Sequence, residues 1–241
     1  MQTDTPRPVA LVTGGSRGIG RAIVEALGHE GWQVYFCSQG TASAATTSQE
    51  LARLFPGQIS GRVCDVGQQS QVDDLVSWVT SEAGRIDCLV NNAGIGHFGP
   101  VDEISGEEWR RLIRTNLNGS FYAIRAVAPW MKKQGEGWII NIASLAGKNP
   151  FAGGSAYNAS KFGLVGLSEA SMLDLRQFGI RVAAILPGSV QTDFSHPKPG
   201  ASDDWKLAPE DVARTVLDLL HHGSRSLPSL VEIRPSNPPK R

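Results

Sequence analysis

Tyr157 and Lys161 stand four residues apart in GSAYNASKFG, residues 154–163, with only small or polar residues between them. In water a phenol titrates near about 10 and an ammonium near about 10.4, so neither moves protons near neutrality unless its surroundings shift it. Residues four apart on a helix are surface neighbours, which sets the Lys161 ammonium beside the Tyr157 phenol. One unit charge at ~4 Å, in an effective dielectric of ~20, contributes about 4 kcal/mol. Lowering a phenol by about three units takes about the same energy. The pair therefore predicts a proton donor with its own tuning charge. Such a spacing also arises by accident, and the elements around it must decide.

Those elements alternate. PVALVTG (8–14), WQVYFCS (32–38), ISGRVCDV (59–66), IDCLVNN (86–92), GWIINIAS (137–144), IRVAAILPG (180–188) and LVEIR (230–234) read as strands. Helical patterns fill the gaps, at about 17–30, 43–55, 71–83, 107–133, 155–178 and 209–221. Strands separated by helices of a dozen or more residues predict βαβ units, hence an α/β fold with a doubly wound parallel sheet and helices on both faces. One domain over 1–241 accounts for the chain, with a short Pro/Gly-containing loop at 195–208 placed to act as a substrate lid and a polar tail at 235–241. Ser144 closes the fifth strand, where a hydroxyl can face a cleft. Asn116 lies in the long fourth helix, with Asn118 two residues on.

The first strand-to-helix junction, VTGGSRGIGRAI (12–23), carries a second chemical signal. Gly14, Gly18 and Gly20 remove side chains where the backbone turns sharply, and the helix N-terminus that follows attracts anions. A phosphate group seated there is the functional expectation, and a bare glycine turn is the alternative. It is not a Walker A loop, because no Gly-Lys-Ser/Thr closes it.

Composition narrows the partners. Of the 241 residues 41% are hydrophobic and 19% charged, with a formal net charge of zero. A neutral chain argues against nucleic acid or an anionic membrane, both of which select excess Lys and Arg. No apolar run approaches the roughly 20 residues of a membrane span. MQTDTPRPV lacks the basic head and apolar run of a secretion signal, so a cytoplasmic location is expected. Cys37, Cys64 and Cys88 have no CxxC spacing and no histidine cluster, so they are expected as small buried hydrophobes, and no metal site is expected.

The motifs together resemble the short-chain dehydrogenase/reductase family: Thr-Gly-x3-Gly-x-Gly at 13–20, NNAG at 91–94, Asn116, Ser144, Tyr157-x3-Lys161 and PGSVQT at 187–192, in that order. The resemblance covers roughly residues 8–192 and implies a Rossmann-type fold and reversible hydride transfer between a nicotinamide and a carbonyl or alcohol. It implies that Tyr157 is the general acid/base and that Lys161 also hydrogen-bonds the nicotinamide ribose. Ser144 stabilises the substrate oxygen, and Asn116 holds a water in a proton relay to Lys161. Gly14, Ser16, Arg17, Gly18, Ile19 and Gly20 are implied for the pyrophosphate turn. Asp65 and Val66 are implied near the adenine, with Asn91, Asn92, Ala93 and Gly94 along the adenosine ribose. Pro187, Gly188, Val190 and Thr192 are implied for the nicotinamide carboxamide.

Cofactor choice falls to the end of the second strand, where an acidic residue would hold the ribose hydroxyl of NAD. Ser38 and Gln39 stand there instead. Arg17 sits where a basic residue in this family binds the 2′-phosphate, so NADP(H) is favoured over NAD(H). A solvated surface cation is the alternative for Arg17, and the arginine often found at the position of Gln39 is missing.

A small-molecule carbonyl or alcohol is the expected substrate, with Phe98, Leu145, Phe151, Phe194 and Trp205 as a candidate apolar wall. A 3-oxoacyl-carrier-protein reductase is the alternative, with Arg125, Lys132, Lys133 and Arg176 as candidate docking cations. A non-catalytic dinucleotide sensor is less favoured, because it need not keep the proton-transfer set. A sugar epimerase or dehydratase is disfavoured by the fifty or so residues after Thr192. The helix at 155–178 is apolar around most of its circumference, which predicts burial on two sides. A homodimer or homotetramer through the helices at 107–133 and 155–178 is therefore expected.

Overall fold

The computed structural model describes residues 6–194 and 203–239. Seven strands alternate with helices: β1 (Val9–Thr13), α1 (Gly18–His29), β2 (Gln33–Ser38), α2 (Thr41–Leu54), β3 (Ile59–Val63), α3 (Gln69–Ala83), β4 (Cys88–Asn91), α4 (Gly106–Ile113), α5 (Gly119–Gln134), β5 (Gly137–Ile142), α6 (Ser155–Leu175), β6 (Ile180–Pro187), α7 (Pro209–Leu220) and β7 (Leu230–Ile233). All pairings are parallel, and the strand order is β3-β2-β1-β4-β5-β6-β7. This is the predicted doubly wound sheet.

Every residue of β1 and of β5 is buried. Successive side chains on a strand point to opposite faces, and a sheet covered on both sides therefore needs continuous apolar runs. Ala10 and Val12 pack on the side of α1 and α7, whereas Val9 and Leu11 pack against α3 and α5. Each fully buried Leu, Ile or Val contributes about 1.5–3 kcal/mol. Cys37, Cys64 and Cys88 are free and buried, within those two layers.

The predicted helix over 107–133 is present, but its winding is not uniform. α4 opens with a capping box, Ser105 Oγ accepting from the Glu108 N–H at 3.2 Å and Glu108 Oε2 from the Ser105 N–H at 3.0 Å. A π-helical segment then runs over Arg114–Asn118 before α5 begins. Asn116 within it reaches across to the chain at Ile95. At Gly119 a Cβ would meet Val66 Cγ2 at 2.9 Å, so the glycine permits close approach there. The helix predicted over 155–178 ends as a 3-10 turn at 176–178, stopped by Gly179 in the left-handed region (φ 75).

β1 lies between β2 and β4, so the strand order reverses at the seam between β1 and β4. In such sheets the crevice beyond the strand ends at this reversal is where ligands bind. Thr13 closes the seam: its hydroxyl accepts from the N–H groups of Asn92 at 3.0 Å and Ala93 at 3.1 Å. Asn92 Nδ2 in turn donates to the carbonyls of Thr13 at 3.0 Å and Gly14 at 3.1 Å. Thr13→Val keeps the shape but leaves two N–H groups without an acceptor. Stability is expected to fall by roughly 1–3 kcal/mol, read as a lower urea midpoint at unchanged slope. An unchanged midpoint would count against this role for the hydroxyl.

Candidate active site

At the end of β1 the chain turns through Gly14 (φ 68) and Gly18 (φ 53), left-handed conformations that favour glycine. A Cβ on Gly20 would collide with the Gly14 carbonyl oxygen and with Asn92 Nδ2. α1 therefore packs directly on the turn. Arg17 takes the N-cap position with extended backbone, no side chain caps the helix, and its first turn carries no acidic residue. The helix N-terminus keeps its partial positive charge, which suits a phosphate group.

Beside this turn a cleft of about 1420 Å³ opens. Gly14, Ser16, Arg17, Gly18 and Ile19 line it, together with Ser38, Gln39, Asp65 and Val66. Asn92, Ala93 and Gly94 join from beyond β4, and Pro187, Gly188, Val190 and Thr192 from the end of β6. Ser144, Tyr157 and Lys161 line the same cleft. Three expected positions do not. Gly20 acts from beneath by its lack of a side chain. Asn91 is buried and donates from Nδ2 to Asn141 Oδ1 at 2.8 Å, tying β4 to β5. Asn116 is fully buried: its Oδ1 accepts from the Ile95 N–H at 2.8 Å, and its Nδ2 donates to the Ile95 carbonyl at 2.9 Å and to Ser160 Oγ at 3.1 Å. Its side chain is thus committed to fastening the segment after Gly94.

Tyr157 and Lys161 share the buried inner face of α6. Lys161 Nζ lies 5.8 Å from the centre of the Tyr157 ring and donates to the Ile142 carbonyl at 2.9 Å. Burial pushes the Lys161 ammonium down from 10.5 to about 8. The unfolded chain therefore holds more protons than the folded one between about 8 and 10.5, and this group's contribution to stability rises with pH across that window. Burial also raises the Tyr157 phenol, against a smaller lowering by its hydrogen bond with Ser144. Desolvation penalises both charged forms, so in the unliganded cleft burial opposes the lowering that the Lys161 charge is expected to give the phenol. Ser144 Oγ accepts from the Ala146 N–H at 3.1 Å, leaving its own proton free to donate.

The sequence reading also passed over contributors to the cleft. Ser43, near the start of α2, lines it, and its hydroxyl stands 3.3 Å from that of Ser38. Cys37 and Cys64 line it as well. Beyond β7, Arg234, Pro235, Pro238 and Pro239 all reach the cleft. No periodicity marks any of these. The apolar wall of Phe98, Leu145, Phe151, Phe194 and Trp205 is present as expected. Of the expected lid, residues 195–202 lie outside the described residues, whereas Trp205 and Lys206 line the cleft.

Comparison with known proteins places this arrangement. A Streptomyces coelicolor protein with the provisional name ketoacyl reductase is 39% identical over 207 residues, 85% of this chain and 79% of that one. A 3-alpha-(or 20-beta)-hydroxysteroid dehydrogenase of Mycobacterium tuberculosis is 38% identical over 213 residues, 87% of this chain and 75% of that one. Among solved structures, a metagenomic short-chain oxidoreductase in complex with NADP is 37% identical, superposes with a TM-score of 0.83, and covers 96% of this chain and 98% of its own. The family model described as short chain dehydrogenase matches residues 8–202. With its parallel sheet, glycine turn and Ser144–Tyr157–Lys161 cleft, the chain belongs to the short-chain dehydrogenase family of oxidoreductases.

Proposed function

We propose that the protein is an NADP(H)-dependent carbonyl reductase or alcohol dehydrogenase. The observation that carries this reading is the presence of Ser144, Tyr157 and Lys161 in the same cleft as an uncapped, glycine-lined helix N-terminus. The cleft fits a dinucleotide: bare backbone at Gly14 and Gly18 admits a pyrophosphate, and Asp65 and Val66 stand where an adenine is held in the family. Pro187, Gly188, Val190 and Thr192 hold the carboxamide end. When bound, the nicotinamide supplies or accepts the hydride.

The protein's own groups handle the proton. Tyr157, kept protonated by burial, donates to the oxygen on which charge develops during reduction, and takes the proton back in the reverse direction. Ser144 donates a hydrogen bond to that oxygen. Lys161 holds the nicotinamide ribose hydroxyls and supplies the positive charge that favours proton release from Tyr157. Asn116 is a positioning residue: its amide fastens the chain at Ile95, and its Oδ1 and Lys161 Nζ lie 3.5 and 3.9 Å from where a Gly94 Cβ would stand.

NADP(H) is favoured over NAD(H) on three grounds. No carboxylate stands at the end of β2, the hydroxyls of Ser38 and Ser43 converge there, and Arg17 makes no ion pair among the described residues. The related structure that binds NADP points the same way. The 3-oxoacyl-carrier-protein reductase reading keeps the support of the provisionally named Streptomyces relative. Its candidate docking cations Arg125, Lys132, Lys133 and Arg176 are all exposed, with Arg125 at 4.0 Å from Asp73 and Lys132 over the Phe178 ring at 4.3 Å. The segment 195–208 is read as the substrate lid, and one domain in the cytoplasm remains the reading for the whole chain.

A homodimer or homotetramer is read from Trp109, Phe121 and Trp130 on α4 and α5, and Phe162 and Leu173 on α6, all exposed in the single chain. Sedimentation at micromolar concentration is expected to give a dimer or tetramer, and Phe162→Asp to shift it toward monomer; a wild-type monomer would sink the assembly.

For the reaction, NADPH oxidation with a panel of ketones, aldehydes, quinones and acyl thioesters is the test. Tyr157→Phe is expected to reduce turnover at least ~10²-fold, in the range of general acid–base catalysis, while NADPH still quenches protein fluorescence. Turnover retained in that variant, or a higher kcat/KM with NADH, would each overturn its part of the reading. kcat/KM for NADPH reports groups of the free protein, so it is expected to fall as pH rises through about 8, where Lys161 loses its charge. A profile flat from pH 7 to 9 would remove that role from Lys161.

A further inference from the structure

Three phenylalanine rings crowd the proton-donating tyrosine. Phe98 meets the Tyr157 ring edge-on at 5.5 Å, Phe194 meets it at 5.8 Å, and Phe151 lies 5.8 Å beyond Phe98. They line the cleft yet remain 45%, 39% and 48% exposed in turn, so a large share of each ring is open. Exposed phenyl rings gathered around a polar catalytic hydroxyl are costly in water and mark a place that an apolar ligand covers.

The backbone has been shaped to hold these rings. At Gly96 a Cβ would come within 2.7 Å of Phe194 Cε1 and 3.2 Å of Phe98 Cζ. At Gly154 a Cβ would meet Phe151 Cε2 at 2.6 Å. Any side chain at either position would displace a ring. The loop bearing Phe98 is anchored as well, through a bridge between Gly99 and Gly154 and a 2.8 Å hydrogen bond from the Gly99 N–H to the Gly153 carbonyl. The Phe98 and Phe151 side of the aromatic wall is therefore preformed beside Tyr157.

Charge at this part of the cleft is neutralised. Lys206 pairs with Asp203 at 2.6 Å, and Glu232 is shared between Arg234 at 2.7 Å and Lys148. Asp193, which also lines the cleft, offsets the one cation that this sharing leaves over. Pro235, Pro238 and Pro239 add apolar rings. Among the described residues, Lys161 and Arg17 are left as cations in the cleft, and the proposed cofactor engages both.

We infer that the substrate is an uncharged, planar, aromatic or fused-ring ketone, stacked against Phe98 and Phe194 with its carbonyl at the Tyr157 hydroxyl. Aromatic rings prefer offset or edge-on contact with other aromatic rings, which a flexible alkyl chain does not reproduce. This substrate class rests on the carbonyl-reductase reading.

The test compares three compounds with NADPH: the ten-carbon fused-ring ketone α-tetralone, the ten-carbon linear 2-decanone, and the short anionic acetoacetate. The tetralone is expected to have at least a tenfold higher kcat/KM than either, or about 1.4 kcal/mol at the transition state. Phe98→Leu and, separately, Gly96→Ala are expected to bring the tetralone-to-decanone ratio down toward one, mainly through the KM for tetralone. Equal or better use of decanone or acetoacetate would overturn the inference while leaving the reductase reading intact. A ratio unmoved in both variants would overturn it too. No turnover of any of the three would sink the reductase reading, and this substrate class with it.

Discussion

Burial of a lysine and a tyrosine on one helix face is the constraint around which the cleft is organised. An ammonium moved out of water is costly unless it is paired or hydrogen-bonded. Lys161 is given one carbonyl, at the end of β5, and among the described residues no carboxylate pairs with it. α6 must therefore lie with that face inward, its small residues Ala156, Ser160 and Ser168 allowing close packing. Ser168 extends the same logic away from the cleft, accepting from Asn141 Nδ2 at 2.8 Å. A polar seam thus runs from β4 through β5 into α6. It fixes the height of the helix on the sheet, and with it the height of the phenol above the cleft floor.

The other half of the cleft depends on close approach without side chains. Thr13, Gly14, Gly20 and Asn92 form one small knot in which the backbone and side-chain amides of Asn92 already have their acceptors. The knot leaves the N–H groups at the start of α1 turned to the cleft, with nothing in the protein capping them. One half of the site is rigid because it is bonded to itself, and the other because it is buried.

Much of this was legible in the sequence. Apolar runs spaced by helical patterns fixed the strand count, and the glycine turn was recognisable because few other purposes require three glycines at a strand-to-helix junction. Tyr157, Lys161 and Ser144 were legible from spacing and position. What was not legible is telling. Asn91 and Asn116 are polar residues in motif positions whose side chains face the protein interior, and local spacing does not say which way a side chain turns. The desolvation of Tyr157 and Lys161 was hidden because pairwise Coulomb attraction is visible in spacing, whereas burial is not. Ser43 and the tail prolines come to the cleft through tertiary packing alone. The dinucleotide, the proton chemistry and the assembly are readings built on this geometry.

The π-helical segment over Arg114–Asn118 has a consequence for how this chain tolerates change. Such a segment is in effect an α-helix carrying one surplus residue. Loss of that one residue would restore regular winding with little rotation of α4 against α5, because the wide turn already absorbs it. What it would take away is the bulge from which the Asn116 amide reaches Ile95. The surplus residue therefore serves the reach of one amide across the cleft wall and not the packing of the helix that carries it.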